Sequence, residues 1–190
     1  MTKKLYLFIP VIVMFLSNIG LHAAEQDLPP SFEEGYEEVG YKSVEVAVKE
    51  FEAHFECKVE LPEMVPPISF THQFGSFFED KRHRMNDNLS IRFVNKDHRK
   101  NIFKIDIRPV HNKITFDGKE YALQYGGKGI YFEFHDFHFY VFDKNGLQYL
   151  LGIHQEVSDI DTPDMLARLA DSVKEIQGEN ACTIYSVENS

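Results

Sequence analysis

Residues 129–153, GIYFEFHDFHFYVFDKNGLQYLLGI, leave a chain little choice of structure. Aromatic and β-branched residues suit a pleated surface, and two breaks divide the run into three antiparallel strands. His135-Asp136 suits a two-residue turn, and Asp143-Lys144-Asn145-Gly146 supplies the φ > 0 positions of a longer hairpin loop. If Phe134 pairs with Phe137, then Phe132 faces Phe139 and Ile130 faces Val141. Side chains alternate across a strand, so these six residues share one face. That face is apolar enough to predict that it is the buried one. The opposite face carries Tyr131 against Tyr140 and Glu133 against His138, and reads as half-wet. The register of the second hairpin stays open, because a bulge at Gly146 would shift Leu147 and Tyr149 by one.

The rest of the chain supplies partners for this meander. Ser43 is an N-cap, and Val44, Ala47, Val48, Phe51 and Phe55 follow at helical spacing, so a helix should run to about Glu56. Val59 and Leu61 suit a short strand before the stiff link of Pro62, Pro66 and Pro67. Alternation then predicts strands through Ile68–Phe74, Leu89–Phe93 and Phe103–Ile107, with Pro109 closing the last. Asp117-Gly118 is a two-residue hairpin signal that would set Ile114 opposite Tyr121. Thr162-Pro163 opens a final helix with Met165, Leu166, Leu169, Val173 and Ile176 inward, ended by Gly178. The tail, 179–190, reads as an edge strand or a frayed end. The expected fold is α+β: an antiparallel sheet of about seven or eight strands with an N-terminal and a C-terminal helix packed on one face.

The N-terminus gives an address. Met-Thr-Lys-Lys precedes the apolar run LYLFIPVIVMFL and then small residues, the pattern of a secretory signal over residues 1–24. A poor cleavage position, with His22 or Leu21 at minus three, keeps an uncleaved anchor as the alternative. The run contains Pro10 and is short against the about 20 residues of a spanning helix. Residues 25–42, with Pro29-Pro30 and six carboxylates, read as an acidic linker. Residues 43–178 then form a single domain. The expected location is secreted or extracytoplasmic, with any membrane contact made through the N-terminal segment.

The formal net charge is −10. Phosphate backbones demand lysine and arginine, so nucleic acid is not an expected partner. Two cysteines, Cys57 and Cys182, form one disulfide or stay as two free or buried thiols. They are too few for the usual four-cysteine iron–sulfur cluster. Carbon monoxide dehydrogenase chemistry is therefore not expected, and no cofactor is.

The order of motifs carries a resemblance. A helix leads into KVELPEMVPP, strands follow with LSIRFVN among them, and GKGIYFEF and FDKNGLQYLLGI precede the closing helix DMLARLADSVKEI. This resembles a small extracytoplasmic domain of unknown function found in exported and anti-sigma-like membrane proteins of Gram-positive spore formers. The matching positions are Leu61, Pro62, Val65 and Pro66, then Asn145, Gly146, Tyr149 and Leu151, then Ala170 and Ser172. The resemblance covers residues 43–176 and rests on the order of short motifs. It implies an exported α+β domain without an assigned activity and supplies no catalytic residues. Nothing like a cytoplasmic domain precedes the apolar segment here, so this chain is not expected to hold a sigma factor itself.

Several constellations could carry chemistry. Nine histidines justify asking for a metal site, and Glu133, His135 and His138 are the best cluster, since imidazole and carboxylate suit zinc. The competing reading is a Glu–His ion pair beside a turn histidine. His54 and Cys57, three apart, are a lesser pair. Lys81, Arg82, His83 and Arg84 form one basic run, and Lys96, His98, Arg99 and Lys100 another. The strand between them sets the two runs about 20 Å apart, so they read as separate solvated loops rather than one patch. The 17 phenylalanines and 9 tyrosines read as an aromatic core, with an aromatic-lined pocket as the alternative. The expected function is non-enzymatic: binding of an envelope protein or ligand in a sensing or regulatory role. The alternative is a carrier of an apolar small molecule or lipid. A metal-dependent hydrolase would need Glu133, His138 and another histidine to converge.

Overall fold

The computed structural model describes residues 29–82, 86–157, 162–176 and 180–182. Among them seven strands form one antiparallel sheet: β1 (His72–Phe78), β2 (Asn88–Val94), β3 (Ile102–Pro109), β4 (Lys119–Ala122), β5 (Lys128–Phe134), β6 (Phe137–Lys144) and β7 (Leu147–His154). Their order is β1-β2-β3-β7-β6-β5-β4. Two meanders thus meet where β3 pairs with β7, and the link from β3 to β4 travels from the centre of the sheet to its edge. Three helices, α1 (Phe32–Glu38), α2 (Val44–Phe55) and α3 (Thr162–Asp171), make the fold α+β.

The helices start where local chemistry dictates. Ser43 Oγ accepts from the Val46 N–H, and Glu56 closes α2 in the left-handed region. Phe51, fully buried, packs its ring 5.6 Å from Phe77 of β1. α3 ends at Asp171, short of the expected Ile176. The reason lies in the β6–β7 turn, which takes over the backbone beyond it. Lys144 Nζ donates to the Val173 carbonyl, Asn145 Nδ2 donates to that of Lys174, and Asn145 Oδ1 accepts from the Ile176 N–H. That turn is a two-residue Asn145-Gly146 connection with φ of 54° and 75°, so Lys144 pairs with Leu147 and no bulge intervenes. Gly146 is doubly required, because a Cβ there would meet the Cys182 carbonyl oxygen at 1.7 Å. Gly178, expected as the helix stop, lies outside the described residues, as do residues 1–28.

The central meander has the expected pairs, Phe134 with Phe137, Phe132 with Phe139, and Ile130 with Val141. Its buried face is the other one. Ile105 pairs with Leu151, Leu151 with Tyr140, and Tyr140 with Tyr131. Ile105, Leu151 and Tyr140 are buried in one cluster with Ala47 and Phe51 of α2 and Leu166 and Leu169 of α3. The expectation that the phenylalanine face is the core face is therefore corrected. Val141 is buried, but Phe132, Phe137 and Phe139 are half-buried and Phe134 is exposed.

Four other expectations also change. Residues 25–42 are not linker throughout: Ser31 and Glu34 form a capping box that starts α1. The Asp117-Gly118 hairpin does not form, because residues 113–117 lie outside the sheet and only Lys119–Ala122 pair with β5. Val59 and Leu61 form no strand; that stretch makes a single bridge, Pro62 with Val173. The described end of the tail, residues 180–182, docks instead of fraying. Cys182 N–H donates to the Asn145 carbonyl, Lys58 N–H donates to that of Asn180, and a disulfide joins Cys57 to Cys182 with Cα atoms 4.8 Å apart.

Tyr140 is an exception to polar satisfaction. Its hydroxyl is buried without a hydrogen-bond partner among the described residues, and burial, then the nearby Asp171 charge, pushes its pKa up. Such a group costs about 1–3 kcal/mol. Tyr140→Phe should therefore raise stability by about 1 kcal/mol, read as a higher urea midpoint at unchanged slope. A lower midpoint would mean that the hydroxyl has a partner.

Candidate functional site

The second face of the sheet, the one that carries Arg92, Lys104, Phe139 and Phe132, holds the unusual surface. Cross-strand register lays it out in rows. Arg92, Lys104, Gly152, Phe139 and Phe132 form one row from β2 to β5. Ser90, Asp106, Leu150, Val141 and Ile130 form the next. One half of the face is thus charged and the other aromatic. Gly152 marks the junction. The Phe139 ring lies across it, and a Cβ there would meet that ring at 2.6 Å.

Two elements cover the margins. α1 lies over the β1 side, where Tyr36 stacks on Phe74 at 4.2 Å and His72 Nε2 meets Glu33 Oε1 at 2.6 Å. The Glu33 backbone N–H, and then the His72 ring, hold that carboxyl below the usual carboxylate range. On the other side the link from β3 to β4 crosses the face as a strap. Buried Gln148 fastens it: its Nε2 donates to the Ile114 carbonyl and its Oε1 accepts from the Ile114 N–H, both at 2.9 Å. Lys113 pairs with Asp143 at 3.1 Å, and Phe116 stacks on Phe132 at 4.9 Å. Beneath the strap lies a cavity of about 370 Å³ with Phe116, Ile130 and Val141 among its walls. These contacts explain the missing hairpin, since the strap spends its backbone on Gln148 rather than on a strand partner.

The cations on this face are unequally matched. Arg92 Nη2 donates to Asp106 Oδ1 at 2.8 Å, and Ser90 Oγ donates to the same oxygen at 2.6 Å. Lys104 stands directly opposite Arg92. Among the described residues no carboxylate lies within ion-pair distance of its ammonium, which sits 3.5 Å over the Phe137 ring. Burial, and then the Arg92 charge, pulls the Lys104 pKa below the usual lysine range. Arg108, also on this side of β3, donates to Asn88 Oδ1 at 3.4 Å.

The residues singled out by sequence fall elsewhere. Glu133 and His138 are cross-strand partners, 3.5 Å apart. Tyr131 completes this pair through its hydroxyl, which meets both His138 Nδ1 and Glu133 Oε1. His135 sits at the turn with φ 50° and its ring against Phe134. Among the described residues no three metal-ligating side chains gather. Cys57 has its sulfur in the disulfide, and His54 lies 3.7 Å from Asp87. Lys81 and Arg82 precede β2, while Arg99 and Lys100 follow it. Lys81 pairs with Glu79 and Lys100 with Glu156, and Arg99 lines a cleft beside Phe32 and Tyr36. Arg84 lies outside the described residues. Sequence reasoning missed Lys104, Gln148 and Phe116. The available signal was the polar side of LSIRF and FKIDIR, where Arg92, Lys104, Asp106 and Arg108 alternate with core residues. No protein-family model, curated protein or solved structure matches this chain.

Proposed function

We propose that this protein is a non-enzymatic, extracytoplasmic binding domain that meets its ligand on the second face of the sheet. In this reading α2 and α3 pack together on the first face. Support for that packing is the single buried cluster shared by Phe51, Leu166, Leu169 and Tyr140. Residues 1–24 deliver the chain as a signal or hold it as an uncleaved anchor, and the domain works in the cell envelope. The Cys57–Cys182 disulfide supports an exported address, because such bonds persist outside a reducing cytosol.

One observation carries the binding role. Phe132, Phe134, Phe137 and Phe139 stand together outside the core, and Phe134 is 59% exposed. A contiguous apolar surface on a soluble domain marks an interaction site. The acid–base groups are already committed: Tyr131 bridges Glu133 and His138, and Arg92 and Ser90 both serve Asp106. That commitment favours binding over turnover.

The neutral dye Nile red tests the reading. It should fluoresce on the native full chain, and Phe132→Ser should cut that signal by half or more while circular dichroism stays unchanged. A signal indifferent to both Phe132→Ser and Phe134→Ser would sink it.

A further inference from the structure

We infer that the second face takes a single-chain anionic amphiphile, its acidic head on Lys104 and Arg92 and its hydrocarbon chain across Phe137, Phe139 and Phe132. The inference rests on the reading of that face as the binding surface. It adds the charge and the shape of the occupant.

Arg92 and Lys104 face each other directly on neighbouring strands, an arrangement that repels. Asp106 is bonded to Arg92 and makes no ion pair with Lys104, so at longer range it offsets the Lys104 charge only in part. The whole chain is acidic, at −10, so this local excess of cation is not a general property of the surface. An acidic head brought to Lys104 relieves the repulsion and gains a charge-assisted hydrogen bond where water is partly excluded.

Position decides what must accompany the anion. The Lys104 ammonium lies over the Phe137 ring, where the charged half of the face meets the aromatic half. A ligand that reaches it with an anion therefore lays its body on phenylalanine. Phe139 and Phe132 continue the Lys104 row across β6 and β5. Three strand spacings separate Lys104 from Phe132, about 14 Å, so an extended acyl chain lying across the strands touches all three rings. The strap cavity adjoins this track through Phe116, Ile130 and Val141, with Lys113, Glu120, Lys128 and Asp143 also in its walls. A cationic amphiphile would meet Lys104 with like charge, and a neutral one would leave the charge as it is.

Titration calorimetry on the full chain tests this with dodecanoate, dodecyl maltoside and dodecyltrimethylammonium, each below its micelle concentration. Dodecanoate should bind one per chain, and added salt should weaken it. Lys104→Met should weaken it about tenfold or more, the loss of one charge-assisted contact, while Lys104→Arg keeps it. Circular dichroism confirms that each variant is folded. If dodecanoate and the maltoside bind alike and Lys104→Met alters neither, the anionic occupant is refuted; the binding face stands provided Phe132→Ser weakens both. If Phe132→Ser changes nothing for any probe, the binding face itself fails. If only phosphatidylglycerol vesicles retain the protein, the occupant is a membrane surface and this inference is overturned.

Discussion

Replacing Cys57 and Cys182 together by serine should cost about 5 kcal/mol of stability, the chain-entropy expectation for so long a loop. The two residues are 125 apart in sequence, so the bond removes a large share of the freedom of the unfolded chain. A domain of this size is stable by only about 5–15 kcal/mol, so the loss brings it near unfolding at 25 °C. Both cysteines are buried, so a reductant should act slowly on the native protein and quickly once urea opens it. The effect is also local. Without the bond, residues 180–182 keep two backbone hydrogen bonds, Cys182 to Asn145 and Lys58 to Asn180. Hydrogen exchange should therefore rise first at Asn145-Gly146 and at the end of α2. Urea curves of the oxidised chain and the double variant read the result, and equal midpoints would show that the bond contributes nothing.

The β5–β6 hairpin was legible because it is local. Alternation in Phe132–Phe134 and Phe137–Phe139, with a two-residue turn between, fixes the register without knowledge of any other strand. The choice of buried face is not local. Both faces of β5 and β6 are aromatic, so composition alone does not rank them. The decision is made by β7, which sets Leu151 between Ile105 and Tyr140 and so joins the tyrosine face to the aliphatic face of β3. The pairing of β3 with β7 joins residues 38 to 50 positions apart, from Pro109 with Leu147 to Phe103 with Ile153, and no pattern in either strand announces it. A chemical reason for the outcome is visible only afterwards. The phenylalanine face is continuous with Arg92, Lys104 and Asp106, and placing it in the core would have buried those charges too.

The strap was misread for a related reason. Asp117-Gly118 promises a tight hairpin, and Gly118 does approach β5 closely, with its would-be Cβ 2.2 Å from the Tyr131 carbonyl oxygen. Yet the segment before it is held by Gln148, a residue thirty-four positions from Ile114. A side-chain clamp on the far strand thus overrides a local turn preference. The candidate site inherits both difficulties. Lys104 looks in sequence like one polar residue alternating with Phe103 and Ile105, and it gains meaning only when Gly152 and Phe139 are set beside it.

The reversal of faces makes a sharp experimental contrast between two phenylalanines eight residues apart. Phe142 is 2% exposed and stacks on Tyr149 at 5.0 Å within the core cluster. Phe142→Ala should cost about 3–5 kcal/mol, since it opens a cavity among fixed neighbours. Phe134, on the second face, is 59% exposed. Phe134→Ala should change stability by no more than about 0.5 kcal/mol. Lipid-like or apolar probes should report the opposite order, with Phe134→Ala disturbing binding more than folding. Denaturation midpoints of the two variants, measured on the full chain, decide between the faces. A costly Phe134→Ala beside a harmless Phe142→Ala would mean that the phenylalanine face is the core after all, and the surface assigned to ligand would have to be sought on the tyrosine side.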